Sequence, residues 1–519
     1  MSTSEIECEL RPEYLEEWLE ALPYANFGHA TGRILQALII TNRTRLRPSV
    51  RLELMGLYLR PLHYLMEQRV GELPQPTAEL LHRRQQDLMV LQDIAGELAS
   101  GCHQAVNEIL MKKTRWLLTR PPTRGMVMTM HLLGLVMFLC YHRYETPERR
   151  LWREIHDLYL AAERLQTEDE PVRLPELEEL PARSVRHCFL RTLALSQLNP
   201  HTLPYGALWP MYRQLDEWIG KARLLPWQEG LEGGPSGRFA CDLNGHGPPR
   251  SLSREGPPEG GEGLRVLDLS GLLEEIGRAL RLLERGENPT LIPSHLARPL
   301  LQHAGRAWGL PPRRHLPRQQ KSGRTRLACG LTMLYLLAGG TGRQDEEEAE
   351  IELSDGGRPG SAPGLSTEEW NLIDVGSGGF SVLRREQPEA MLRVGDLIGI
   401  QPATRGGQWQ IGAVRWLMVQ RDGEHRLGVQ FLGRLEEPVD LRPHGSDAPG
   451  RHALLLGPHA GRGPALVTER GLYQPGRQFE LLSPEGRRVV QAGELLESSA
   501  VYDLFTLQSG VSSPGQSVA

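Results

Sequence analysis

The stretch Trp370-Asn371-Leu372-Ile373-Asp374-Val375-Gly376-Ser377-Gly378-Gly379-Phe380-Ser381-Val382-Leu383 sets two short runs of alternating residues on either side of a glycine-rich turn. Alternation with a period of two sends successive side chains to opposite faces, so Trp370–Ile373 and Phe380–Leu383 are expected to be strands. The pattern recurs on both sides, over Arg324–Leu336, Gln408–Trp416 and Arg426–Leu432, with glycine and charged turns between. Many short strands in succession predict a closed barrel over residues 311–435, because closure removes the exposed edges that invite aggregation.

Upstream of the first strand the chain turns basic. No acidic residue occurs between Asn288 and Gln344, whereas Arg298, Arg306, Arg313, Arg314, Arg318, Lys321, Arg324 and Arg326 all do. In a chain of formal charge −5 this is a local positive site. A guanidinium fork donates two parallel hydrogen bonds to a phosphate, and the same fork matches O6 and N7 of guanine. A guanine dinucleotide satisfies both demands.

Arg314-His315-Leu316-Pro317-Arg318, followed by Asp374-Val375-Gly376-Ser377-Gly378-Gly379, resembles in order and context the Arg-x-x-x-Arg and Asp/Asn-x-Ser-x-x-Gly motifs of the PilZ domain family. The phrases Val394-Gly395-Asp396-Leu397, Gly412-Ala413-Val414-Arg415-Trp416 and Gly428-Val429-Gln430-Phe431-Leu432 look like later strands of the same family. The resemblance implies a barrel that binds cyclic di-GMP. By it, Arg314 and Arg318 clasp phosphates and guanine edges, while Asp374 and the Gly376–Gly379 turn receive a guanine. Arg313 stands where the family sets whether one nucleotide or a stacked pair is held. The implied ligand set is Arg313, Arg314, Arg318, Asp374, Gly376, Ser377 and Gly379, with no metal and no cofactor.

Two departures stand out. Gly376 occupies the serine position and Ser377 comes one step late, so a hydroxyl contact is either lost or supplied from a shifted loop. A lost hydrogen bond is worth about 0.5–1.5 kcal/mol net, a several-fold loss of affinity. The gap between Arg318 and Asp374 is also long for the family. An insertion at 343–366, carrying Asp345-Glu346-Glu347-Glu348, accounts for it.

The rest of the chain is modular, since 519 residues exceed one ordinary core. From Glu13 to Pro226 apolar residues recur at helical spacing, as in Leu151, Ile155, Leu158, Tyr159 and Ala162. This predicts a stack of antiparallel helices over 1–226, similar to tetratricopeptide arrays in architecture but without their period of about 34 residues. Such a stack either presents a groove to a protein partner or packs only against its own chain. Residues 227–263, rich in Gly and Pro, read as linker or loops. Within 264–310 a short strand (Leu264–Asp268) and two helices (Leu272–Leu283 and His295–Trp308) lead toward the barrel. Residues 436–511 form a further β-rich module, a duplicated barrel being one option, with a hairpin turn at Ser483-Pro484-Glu485-Gly486. Residues 512–519 are a tail. The expected fold class is α+β multidomain, an N-terminal all-helical stack followed by a PilZ-like antiparallel β-barrel and the small β-rich module.

Composition and motifs exclude other classes. The apolar run Met126–Tyr141 is shorter than the roughly 20 residues a bilayer requires and holds Thr129 and His131, so it predicts a buried core helix with a satisfied histidine. The acidic opening Met1-Ser2-Thr3-Ser4-Glu5 lacks the basic and apolar regions of a signal peptide, so secretion is not expected, and six scattered cysteines without a Cys-x-x-Cys pair fit reduced thiols of a cytoplasmic protein. Metal helices, phosphate loops and nucleophile elbows are missing, so the chain reads as a non-enzyme. Three readings stay open: a cyclic di-GMP effector acting on a protein partner through its helical domain, in motility, pilus or biofilm control; an interaction scaffold with a degenerate barrel; and an RNA or single-stranded DNA binder. Against the last stand the acidic balance and the thin supply of aromatics, Trp308 and Tyr335, near the arginines.

Overall fold

The computed structural model of the protein describes residues 8–71, 78–113, 121–177, 181–228, 236–252, 261–309, 319–340, 367–388, 391–402, 408–446, 448–483 and 486–509. The chain divides into two compact units, Met1–Arg313 and Arg314–Ala519. The acidic stretch 343–366 and the tail 512–519 lie outside the described residues.

The first unit opens with helices α1 (Pro12–Glu20), α2 (Phe27–Arg43), α3 (Pro48–Leu57), α4 (Leu59–Glu67), α5 (Ala78–Lys113), α6 (Thr123–His142), α7 (Arg149–Leu165), α8 (Val185–Ser196) and α9 (Leu208–Trp218). Local chemistry starts them. Pro12 and Pro48 stand in the first turns of α1 and α3, where no backbone N–H is required. Asn26 Oδ1 caps α2 by accepting from His29 N at 3.2 Å, and Ser184 Oγ caps α8 by accepting from His187 N at 3.1 Å.

At the centre lies α6. Val127, Met130, Leu135 and Phe138 are fully buried, with α5, α7 and α8 packed around them. A helix apolar on every side must be covered on every side. Among the described residues it is the one helix long and apolar enough to cross a membrane, and 94% of its apolar window is buried inside the protein. His131, also buried, is hydrogen-bonded throughout: Nε2 lies 2.9 Å from His63 Nε2, and Nδ1 accepts from Arg191 Nη2 at 3.1 Å and Arg183 Nη1 at 3.3 Å. A nitrogen that accepts from two guanidiniums carries no proton, so the His131 proton sits on Nε2. Both arginines also pair with Asp216.

Two expectations are corrected here. The helices are not a run of repeated pairs, because the 36-residue α5 packs against α2, α3, α4 and α6 at once. Nor is 227–263 merely linker. Strands β1 (Arg223–Pro226), β2 (Arg238–Asp242), β3 (Arg250–Ser251) and β4 (Leu264–Asp268) form a sheet in the order β1-β4-β2-β3. The strands inside the stretch are five and two residues long, too short to show a period amid Gly and Pro. Helices α10 (Ser270–Glu284) and α11 (Ser294–Trp308) put Leu272, Ile276, Leu301 and Trp308 into the same core as α6, so they complete the first unit.

The second unit contains β5 (Gln319–Cys329), α12 (Leu331–Leu337), β6 (Glu368–Gly376), β7 (Gly379–Arg384), β8 (Leu397–Pro402), β9 (Gln410–Val419), β10 (His425–Pro443), β11 (Arg451–Leu456), β12 (Ala465–Glu469), β13 (Gln478–Ser483), β14 (Gly486–Ser498) and β15 (Tyr502–Ser509). The alternation expected over Arg324–Leu336 ends at Cys329. Gly330, at φ 91°, makes a turn few other residues tolerate, and the dense apolar run after it becomes α12.

Pairing closes two antiparallel rings. One runs β5-β6-β7-β10-β9-β8 and back to β5; the other runs β10-β11-β12-β15-β14-β13 and back to β10. Counted along the chain, both follow the order first, second, third, sixth, fifth, fourth. The C-terminal β-rich stretch is therefore a second closed barrel with the strand order of the first, and the two share β10. That strand bends to serve both. Its register slips between Phe431 and Gly433 against β9 and between Leu435 and Glu437 against β11, and such bulges kink a strand. A module boundary at 435/436 thus falls inside a continuous strand. Trp409, Ile411 and Leu432 share one core cluster with Leu454, Leu456 and Leu504, so the barrels are joined by packing as well.

Candidate functional site

Asp374, Gly376, Ser377 and Gly379 lie together on the β6–β7 hairpin, where Gly376 pairs with Gly379 and Ser377-Gly378 form the turn. Glu368 fixes the hairpin base, its carboxylate accepting from Trp370 Nε1 and Arg384 Nη1, both at 3.1 Å. Toward the tip the ladder slips twice, between Leu372 and Asp374 against β7 and between Gln320 and Gly323 in β5. Bulges of this kind re-aim side chains beside functional sites. Beyond them Gln320 pairs with Asp374 and Gln319 with Val375. Arg313, Arg314 and Arg318 lie outside the described residues, but Gln319 is the residue that follows Arg318 in the chain.

Packing alone dictates Gly379. A Cβ there would stand 2.1 Å from Val429 O on β10. Gly412 on β9 meets the same strand, its Cβ falling 2.5 Å from Val429 Cγ1 and 2.8 Å from Gln430 O. Phe431 N donates to Gly378 O at 3.1 Å and ties the turn to β10.

A cavity of about 670 Å³ opens beside the turn. Its size falls within the roughly 300–1,000 Å³ of small-molecule sites. Ser377 and Gly378 line it from the first barrel, His459, Ala460, Arg462 and Glu497 from the second, and Phe431 from the shared strand. Ser377, the serine that comes one step late, therefore presents its hydroxyl-bearing residue at this wall.

An ion-paired lock lies at the same seam. Arg415 Nη1 and Nη2 donate to Glu497 Oε1 and Oε2 at 2.7 and 2.6 Å, Arg415 Nε donates to Gln430 Oε1 at 2.8 Å, and Tyr502 OH donates to Glu497 Oε1 at 2.7 Å. Burial pushes the Glu497 carboxyl up, but the hydrogen bonds and charge of Arg415 outweigh it and the net displacement is downward. Arg462 differs. It donates to Leu432 O, its Nε is buried without a partner, and burial lowers its pKa despite the field of Glu497. His459 is held below its ordinary value by burial and by Arg462.

Sequence reading reached the hairpin but missed Arg415, His459, Arg462 and Glu497, which stand far from the motif in the chain. Only Arg415 carried a signal, as part of a strand phrase. Among the described residues no three metal-ligating side chains converge. Trp308 and Tyr335 are 0% and 2% exposed, so neither offers a face for base stacking.

Residues 13–229 match the family model described as the cyclic-di-GMP receptor FimW, N-terminal domain, and residues 343–438 match the one described as its middle PilZ domain. A Pseudomonas aeruginosa protein named cyclic-di-GMP receptor FimW is 24% identical over 548 residues, covering 93% of this chain and 88% of the relative.

Proposed function

We propose that the chain is a PilZ-domain receptor for cyclic di-GMP that transmits binding to a protein partner. The observation that carries this reading is the pairing of Gln319 and Gln320 with Val375 and Asp374. The strand that follows the arginine segment in the chain is thus the ladder neighbour of the motif hairpin, which supports the reading that one ligand touches both. Arg314 and Arg318 supply charge-assisted forks to phosphates and guanine edges, while the turn supplies backbone groups and the Ser377 hydroxyl.

The chemistry is recognition without turnover. A ligand that favours one arrangement of the chain shifts it toward that arrangement, and the helical unit, matched over residues 13–229, is the surface assigned to the partner, in motility, pilus or biofilm control. Six unpaired cysteines, four of them buried, support a reducing, cytoplasmic setting.

Calorimetry tests the reading. Cyclic di-GMP should release heat on mixing with the full chain, and Arg314→Ala combined with Arg318→Ala should abolish the signal. Equal isotherms for the two proteins would remove the arginines from the site. A flat wild-type isotherm would leave the scaffold reading in place of the receptor.

A further inference from the structure

We propose that the C-terminal barrel forms the second wall of the nucleotide site, with Arg462 binding a phosphate of the ligand seated against Ser377 and Gly378. This rests on the cyclic di-GMP reading above and extends it to residues outside both family motifs.

The first argument is topological. In each barrel one hairpin joins the second and third strands, β6–β7 in the first and β11–β12 in the second. These equivalent hairpins line the same cavity, through Ser377 and Gly378 on one side and His459, Ala460 and Arg462 on the other. A small ligand on the family turn is therefore faced by the matching turn of the second barrel.

Charge supplies the second argument. Glu497 is the carboxylate on the cavity wall, and its oxygens are engaged by both Nη atoms of Arg415 and by Tyr502. Arg462 has no carboxylate within ion-pair distance among the described residues, and its Nε is buried with no acceptor. A part-buried guanidinium that feels the field of Glu497 but pairs with no carboxylate gains from an arriving anion, and a phosphate brings both the charge and the acceptors that its fork requires.

The third argument is conformational. Ala460 and Gly461 take φ of 50° and 81°, and His459 bridges to Arg462 across them. A left-handed alanine is strained, and such residues persist where the surroundings hold them, often at ligand sites. Here the strained turn delivers Arg462 to the cavity.

Hydrogen exchange on the full chain, with and without cyclic di-GMP, reads the contact without any substitution. Slowed exchange is expected at both Ser377–Gly379 and His459–Arg462; slowing at the first alone overturns the proposal. In calorimetry Arg462→Ala should weaken binding about ten- to a hundredfold, the loss of a charge-assisted hydrogen bond, with Arg462→Lys in between. An Arg462→Ala protein that binds like wild type, beside an Arg314→Ala/Arg318→Ala protein that does not bind, refutes the second wall and leaves the receptor reading intact. A wild type that takes up no ligand overturns the receptor reading itself.

Discussion

Replacing Gly379 by alanine puts a methyl group 2.1 Å from Val429 O, 3.1 Å from Val429 C and 3.2 Å from Gln430 Cα. Those atoms are backbone, fixed in the β7–β10 ladder by the pairs Phe380 with Val429 and Gly379 with Gln430. No side chain can rotate aside to relieve the clash, so the strands must part by about an ångström or more. Overpacking of this kind destabilises by about 1–3 kcal/mol. Parting also strains the bond from Phe431 N to Gly378 O, worth about 0.5–1.5 kcal/mol. The expected loss is about 3 kcal/mol, or roughly 6–12 °C in melting temperature for a unit of this size. Gly378 is the internal control, since a Cβ there meets nothing within 4 Å. Thermal unfolding of the ligand-free protein, followed by circular dichroism, should separate the neighbours: Gly378→Ala within about 0.5 kcal/mol of wild type, Gly379→Ala far below it. Coincident melts would show that the last glycine of the motif is not held by packing, and the structural account of the hairpin would fail.

Gly376→Ser restores a hydroxyl at the family's serine position and should tighten cyclic di-GMP binding several-fold in calorimetry; a looser complex would mean that Ser377 already makes that contact. Arg415→Ala and Glu497→Ala should couple by about 1 kcal/mol in a double-mutant cycle of denaturant melts, a modest value because both side chains retain some solvent; additive losses would remove the lock from the seam. Burial holds the His142 imidazole down to about 4 and His131 well below its usual range. The unfolded chain takes these protons below about pH 6.5 while the fold refuses them, so stability is full above that pH and falls as acid approaches 4, by about 2 kcal/mol at pH 5 for His142 alone. Both ring nitrogens of His142 are buried without partners, so His142→Phe should flatten that slope with little loss at pH 7; an unchanged profile would assign the acid sensitivity elsewhere.

How far the sequence carried depended on whether the signal was local. The turn between Gly376 and Gly379, the strands around Trp370 and Phe380, and the long apolar run of α6 each leave a signal within a few residues, and each stands where the pattern puts it. The Ser483–Gly486 hairpin follows the same rule. What failed was non-local. The strands Arg238–Asp242 and Arg250–Ser251 are too short to show a period, and they exist because Leu264–Asp268 pairs with the longer of them. Leu331–Leu337 is apolar but for Thr332, a pattern that strand and helix share over so short a run. The closure of 436–511 into a ring was visible only as an option, because it depends on β10 pairing with both β11 and β13.

The shared strand also explains why the motif alone underdetermined the site. Gly379 and Gly412 press on β10 at Val429 and Gln430, and the strand slips register just beyond, between Phe431 and Gly433. Phe431 and Leu432, the residues of that bend, line the cavity. The opening therefore lies where one strand stops closing the first barrel and starts building the second. A bend of this kind brings the second–third hairpins of both barrels to one place while leaving them far apart in the chain. A motif scan can find only the hairpin that carries the motif. The opposite wall of the cavity follows from the strand order, which brings Arg462, with its buried and unpartnered Nε, to face Ser377 and Gly378.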